Sequence, residues 1–360
     1  MNAISQITEA AVEQLPIGIH FGVSDEVYFA QTGLGSTDRK QLAIDPVEWQ
    51  FNRLHGEDKD TKAKIWGSAL HSRVLEGEQA FVSRFGVLPN KDEIPGLLVT
   101  KDDLVAWLVA EGADFKKSAL KGELAALVRA ADPDAPIWDD IVAKFESAYP
   151  EDRRLTWEMV EEIDLAATWL QGSKKLAPFM EGGTFTFGAP EVTIIYEVNG
   201  VRLRARIDYL LPGVIVDLKS YRPWRNGDPR STIVQAIGNF RYDLQAAAYA
   251  EAFDAAEKLF REGKVFGAEP YPDFLNMVFD RDDPPTWLWI MVKGDGAPRP
   301  RIVEFPRTLT VFRIAQDQIQ TALSNYQQNL AEYGAENDWQ PDDKVIVLDN
   351  ESFPAWFGIN

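Results

Sequence analysis

The chain has 360 residues, with 37 Lys and Arg against 56 Asp and Glu, giving a formal net charge of −19. Hydrophobic residues make up 45% and charged residues 26%, ordinary for a globular protein whose length suffices for one large or two modest cores. No cysteine is present, which excludes disulfides, thiolate-bound zinc and any iron–sulfur cluster. With three histidines (His20, His55, His71), a metal would have to be held mainly by oxygen, which favours Mg²⁺, with Mn²⁺ able to substitute. Met1 to Gln14 lacks the basic start and apolar run of a secretory signal. No stretch approaches eighteen apolar residues, so the expectation is a soluble, cytoplasmic protein with no membrane partner. Charge alone argues against nucleic acid, since polyanions repel.

In chain order, residues 1–35 read as an irregular lead-in with glycines at 18, 22, 33 and 35. Ser36-Thr37-Asp38 caps a helix that must stop before Asp45-Pro46, because the residue preceding proline avoids helical angles. Pro46 opens a second helix. Trp66, Ala69, Leu70, Val74 and Leu75 give helical spacing to a third, over 62–75. Residues 83–180 read as mostly helical, with Thr100 to Gly112 and Lys121 to Val128 forming a hairpin. That hairpin resembles small SAP-like modules, about 99–130, or is an ordinary helical insertion.

The pattern changes at 191. Glu191 to Val198 and Val201 to Leu211 are β-branched runs joined by Asn199-Gly200, the strongest two-residue hairpin signal. A two-residue turn makes opposed pairs sum to 399. Val192, Ile194, Tyr196, Val198, Val201, Leu203, Ala205 and Ile207 then share a core face. The opposite face pairs Glu191 with Asp208, two carboxylates about 5 Å apart that need a compensating positive charge, from arginines or a cation. Pro212-Gly213 turns the chain into Val214 to Lys219, where Asp217 and Lys219 share a face and Asp208 returns alongside. A helix is expected from Thr232 through Lys258, strands at 287–292 and 301–305, and an amphipathic helix carrying Phe312, Ala315, Ile319, Leu323, Tyr326 and Leu330, as core or as an oligomer seam. The tail, Trp339 to Trp356, is aromatic and acidic.

Asp208 followed by Asp217-Leu218-Lys219 resembles the PD-(D/E)XK nuclease motif. With Gly67-Ser-Ala-Leu-His71, Arg204-Ala-Arg-Ile-Asp208 and Gln245-Ala-Ala-Ala-Tyr249 in the same order, the chain resembles the RecE-type exonuclease VIII nuclease domain among RecB-like nucleases, from about residue 20 to Trp356. The resemblance implies an α/β (α+β) restriction-endonuclease-like core: a central mixed sheet flanked by helices, with a helical insertion. Residues 1–82 would be its N-terminal helical part, 83–180 the insertion and 181–360 the nuclease core and tail, in one catalytic domain.

The resemblance further implies that Asp208, Asp217, the Leu218 carbonyl and His71 bind Mg²⁺, with Glu191 as an additional acid. Lys219 would position the attacking water, and Gln245 and Tyr249 would lie against the site and the DNA. Salt bridging for Glu191 and simple helix packing for Gln245 and Tyr249 stay open as alternatives. Arg204, Arg206, Arg222, Arg225, Arg230 and Arg241 are candidate DNA contacts, a solvated loop being the alternative for the last four. The implied activity is Mg²⁺-dependent degradation of linear double-stranded DNA from its ends, 5′ to 3′, leaving 3′ single strands for an annealing partner in recombination. A homo-oligomer and a phage-encoded origin in a bacterial cytoplasm accompany it. An endonuclease on the same fold and a non-catalytic DNA-binding recombination factor are the rivals. Local charge fits DNA better than the total does. Residues 201–241 hold eight Lys and Arg against three Asp, a net of +5, leaving −24 elsewhere.

Overall fold

In the computed structural model, Asn199 and Gly200 both adopt left-handed backbone angles, φ +51° and +77°. Both central residues of the tightest hairpin turn need them, and Asn and Gly tolerate them best. The turn fixes the register of β2 (Ala189–Val198) on β3 (Val201–Leu211), running from Val198 opposite Val201 to Ala189 opposite Leu210. The pairing sum of 399 holds along its whole length. The structure describes residues 13–56, 61–116, 118–222, 228–294, 296–340, 345, 347–349 and 352. Arg225 and Trp356 lie outside them.

The hairpin sits centrally in a seven-stranded mixed sheet completed by β1 (Gly18–His20), β4 (Val214–Tyr221), β5 (Val265–Phe266), β6 (Thr286–Lys293) and β7 (Arg301–Glu304). The strand order is β7-β6-β4-β3-β2-β1-β5. β4 runs antiparallel to β3, and β6 joins β4 in parallel. The parallel step needs a crossover, and two helices supply it. These are α10 (Pro229–Phe240) and α11 (Tyr242–Arg261), divided at Arg241 where one helix was expected.

Both faces of the sheet are covered. On one lie Ile194, Tyr196, Leu203, Ala205, Ile207, Ile215, Trp287 and Trp289, packed against Ala246, Tyr249 and Phe253 of α11 and Phe312 and Leu323 of α13 (Thr310–Tyr333). The stripe predicted for the last helix is thus spent on this chain's own core. On the other face, Tyr209, Val216, Leu218 and Ile290 meet Trp66, Ala69 and Leu70 of α4 (Lys62–His71) and Ile163, Ala167 and Leu170 of α9 (Trp157–Gln171). α4 continues as a wider π-helical turn, Ser72–Glu76, where a single helix to Leu75 was expected.

Between α4 and α9, α6 (Lys101–Ala110) and α7 (Lys121–Ala131) close a small core of their own around Leu104, Leu108, Leu124 and Val128. α9 belongs to the main core. Trp339, in the tail, is buried against Trp49 of α3 (Pro46–His55) and Tyr326. Among the described residues no helix is long and apolar enough to cross a membrane.

The lead-in is more ordered than its composition suggested. It forms β1 and α1 (Asp25–Phe29), then enters α2 (Ser36–Ile44). Arg39 of α2 is buried and grips Glu251 of α11 through two hydrogen bonds, 2.6 and 3.1 Å, while the Tyr196 hydroxyl donates to the same carboxylate. That clamp holds α2 against α11 and the hairpin.

Candidate active site

Alternation along β2 and β3 slips by one residue at the same place on both strands. Val192 and Ile207 face the α11 side, and so do Ala189 and Leu210, whereas Tyr209 and Leu211 face α4. Between them Glu191 takes a left-handed φ of +51°, which is sterically disfavoured for any residue with a Cβ. The Glu191–Asp208 pair drops out of the ladder although its neighbours on either side stay paired. Here a cleft of about 250 Å³ opens, lined by His71, Glu191, Asp208, Gln245 and Tyr249 together with Tyr28, Phe29, Ser36 and Asp38.

The β3–β4 ladder ends at Tyr209 opposite Val216. Beyond it the strands diverge, and the Asp208 side chain takes over: its Oδ2 accepts from the Leu218 N–H at 3.1 Å. Asp217 is fully buried. Its Oδ1 accepts from Gln245 Nε2 at 3.2 Å. Its Oδ2 lies 2.7 Å from Lys219 Nζ but has no aligned hydrogen-bond donor. The same ammonium is 3.9 Å from Asp208. One lysine therefore serves two aspartates. Burial, then Asp208 alongside it, push Asp217 up to about 7 against the pull of Lys219. Burial works against the Lys219 charge, but Asp217 and Asp208 outweigh it and raise its pKa, so the amine stays protonated.

His71 Nε2 donates to the Leu218 carbonyl at 2.6 Å, and its Nδ1 is 3.6 Å from Asp208. Burial lowers its pKa despite Asp208, leaving it neutral. Glu191 pairs with Arg206 Nε at 2.6 Å. Burial nevertheless pushes it up to about 8, with Asp208 adding to the effect. Tyr249 is buried under the cleft, its ring 5.8 Å from Trp287.

The proposed ligands do not form a ready-made cage. Among the described residues no three His, Asp or Glu side chains are grouped closely enough to hold a metal as they stand. The donor chemistry nonetheless suits a hard divalent cation: two carboxylates that share one ammonium, a strand carbonyl and one neutral imidazole.

The arginines need correction. Arg204 and Arg206 line the cleft, but Arg204 donates to the carbonyls of Tyr28, Phe29 and Gln31, and Arg206 is shared by Asp25 and Glu191. Both are spent holding α1 to the hairpin, so neither is free for phosphate. Arg241 is paired with Asp243 at 3.0 Å. Arg222 and Arg230 are exposed. Sequence reasoning also missed α1, which with the expected helix α2 forms a wall of the cleft. From that wall Lys40 is near enough to Lys219 for repulsion to add to burial in lowering its pKa. Elements of three and five residues carry no periodicity to betray them.

A family model described as a PDDEXK-like domain of unknown function (DUF3799) matches residues 47–269. The chain belongs to this family. The PDDEXK-like match spans His71, the hairpin, Asp208, Asp217, Lys219, Gln245 and Tyr249, and ends before β6. A solved structure from Eubacterium rectale bearing the description "Putative exonuclease" is similar with a TM-score of 0.41 and 14% identity, over 86% of this chain and 84% of that one. A search of curated proteins finds no match.

Proposed function

We propose that this PDDEXK-like protein is a divalent-metal-dependent exodeoxyribonuclease that hydrolyses linear double-stranded DNA from its ends, 5′ to 3′, and leaves 3′ single strands for an annealing partner. The observation that carries the hydrolytic reading is the Asp208–Lys219–Asp217 cluster at the point where β3 and β4 part, with His71 and Gln245 closing on it. Asp208, Asp217, the Leu218 carbonyl and His71 would hold the cation, with Glu191 beside them. The cation would supply Lewis-acid neutralisation of the scissile phosphate.

The chain's own groups do the remainder. Lys219, kept protonated by two carboxylates, is a donor and a fixed charge rather than a base. It can orient an attacking water and meet the negative charge that grows on the phosphoryl oxygens. Gln245 fixes the Asp217 carboxylate through Oδ1, so that Oδ2 keeps one orientation towards Lys219. The diverging strands leave the polar ends of β3 and β4 open while the apolar faces stay covered, which lets a phosphate approach without exposing the core. Attack from ends, its polarity and the annealing partner rest on the resemblance of the four ordered motifs to RecE-type nucleases.

The test is digestion of end-labelled linear duplex and of covalently closed circular DNA, with Mg²⁺ present or chelated. Mg²⁺-dependent release of nucleotides from the 5′ ends of the linear substrate alone is expected. Equal cutting of both substrates would make the protein an endonuclease. No release, with Asp217→Ala indistinguishable from wild type, would leave only DNA binding.

A further inference from the structure

Each end of the charged row carries an exposed aromatic ring. Phe29 lines the cleft and is 64% exposed, with the Arg206 guanidinium 5.3 Å from its centroid. At the other end Lys219 Nζ lies 5.5 Å from the Tyr242 ring. Phe240 stacks on Tyr242, centroids 5.6 Å apart and planes at 25°, while remaining 58% exposed.

The Phe240–Tyr242 stack is not a consequence of helix geometry. Residues two apart in a continuous helix do not face each other. Arg241 between them is left-handed, φ +50°, and this break between α10 and α11 brings the rings together. An arginine is disfavoured there, yet it is anchored by Asp243 at 3.0 Å and by Gln318 of α13. Strain that stacks an exposed phenyl ring on the tyrosine beside the active-site ammonium is of the kind that binding sites retain.

We propose that Phe29 and the Phe240–Tyr242 stack are nucleobase platforms flanking the scissile phosphate, so that DNA enters the site as an unpaired strand. This rests on the nuclease reading and deepens it. A ring open on its face can stack on a base only if that base's own face is free, as in a single-stranded or frayed end and not within a duplex. Lys219 and the cation that the carboxylates would hold would take the phosphate, and the rings take the bases on either side. Every base has such a face, so the platforms impose no sequence preference.

Anisotropy of a labelled oligothymidine and of a labelled blunt duplex, in Ca²⁺, tests it. Phe29→Ala and Phe240→Ala should each weaken single-strand binding about tenfold and leave duplex binding within about twofold. Phe240→Trp should keep wild-type affinity, and Phe240→Leu, equally apolar but without a π-face, should not. Equal losses on both DNAs, no loss on either, full binding by Phe240→Leu, or no single-strand binding by the wild type would overturn the proposal. A parallel Mg²⁺ digest separates the two claims. Ring-dependent binding without hydrolysis contradicts the nuclease reading and leaves the platforms standing, whereas hydrolysis indifferent to both rings does the reverse.

Discussion

Two groups of carboxylates lie near each other, one between α1 and the β2–β3 hairpin and one between β3 and β4, and their charges are balanced differently. In the first, Asp25 meets Arg206 at 2.9 Å, Arg153 at 3.1 Å and Arg84 at 3.9 Å, and Arg206 also takes Glu191. Burial alone would raise Asp25, but Arg206 and Arg84 outweigh it and hold its pKa below the usual value. In the second, Asp208 and Asp217 share one ammonium, and Asp217 is pushed up to about 7. Asp25 stands on α1 and keeps some exposure, whereas Asp217 is fully buried on β4. Asp25 is satisfied by its own chain and braces α1, although Glu191 beside it is pushed up to about 8. The second is short of positive charge, which is the condition a divalent cation or its substrate complex would relieve. An ion pair count would not tell the two apart. The balance does.

That contrast is sharpest in Asp217→Asn. It should cost about a thousandfold or more in nuclease rate, and the metal-free variant should melt no lower than wild type, because a crowded buried carboxylate has been neutralised. Parallel losses of rate and melting temperature would show Asp217 to be structural.

The next effect is on stability. Folding gives Asp217 and Glu191 pKa values near 7 and 8, whereas unfolded carboxylates lose their protons near pH 4. Between those values the folded state binds more protons than the unfolded one, so the stability of metal-free protein is full below about pH 4 and falls as pH rises towards 8. Mg²⁺ at about a hundredfold over its dissociation constant should then restore roughly 3 kcal/mol. The gain should be greater at pH 8 than at pH 6 in thermal melts. A gain independent of pH would mean that the ion binds elsewhere.

The compensated group behaves in the opposite sense. Asp25→Asn should destabilise the fold by about 2 kcal/mol in denaturant melts, because it leaves Arg206, Arg84 and Arg153 short of a partner, while Mg²⁺-dependent activity of the folded fraction persists. Loss of activity without loss of stability would merge the two groups into one. The smallest effect belongs to Gln245→Ala, which loses one hydrogen bond to Asp217. A roughly tenfold fall in kcat, with KM little changed, is expected from steady-state assays.

Much of this was legible in the sequence where local rules act alone. Asn199-Gly200 and alternation determined the hairpin register, and the turn at Pro212-Gly213 returned Asp217 and Lys219 alongside Asp208. His71 comes to Asp208 and the Leu218 carbonyl, and Gln245 to Asp217. What was not legible depends on contacts distant in sequence. The alternating arginines 204 and 206 suggested a basic path for DNA, but α1, read as irregular, returns to consume them. In the helix expected through 232–258, Gly238-Asn239 is the one local hint of a break, and only Asp243 and Gln318 of a later helix show how the kink at Arg241 is held. The positive window over 201–241 is accordingly less free than its sum, with Arg222 and Arg230 its exposed described members.

The central claim is that the under-compensated pair, and not the braced one, is where the cation binds. Mn²⁺ binding followed by isothermal titration at neutral pH, on wild type, Asp217→Asn and Asp25→Asn, measures it directly. Saturable binding by the wild type and Asp25→Asn, lost in Asp217→Asn, is the predicted result. Equal binding by wild type and Asp217→Asn, or no binding by the wild type, would contradict it.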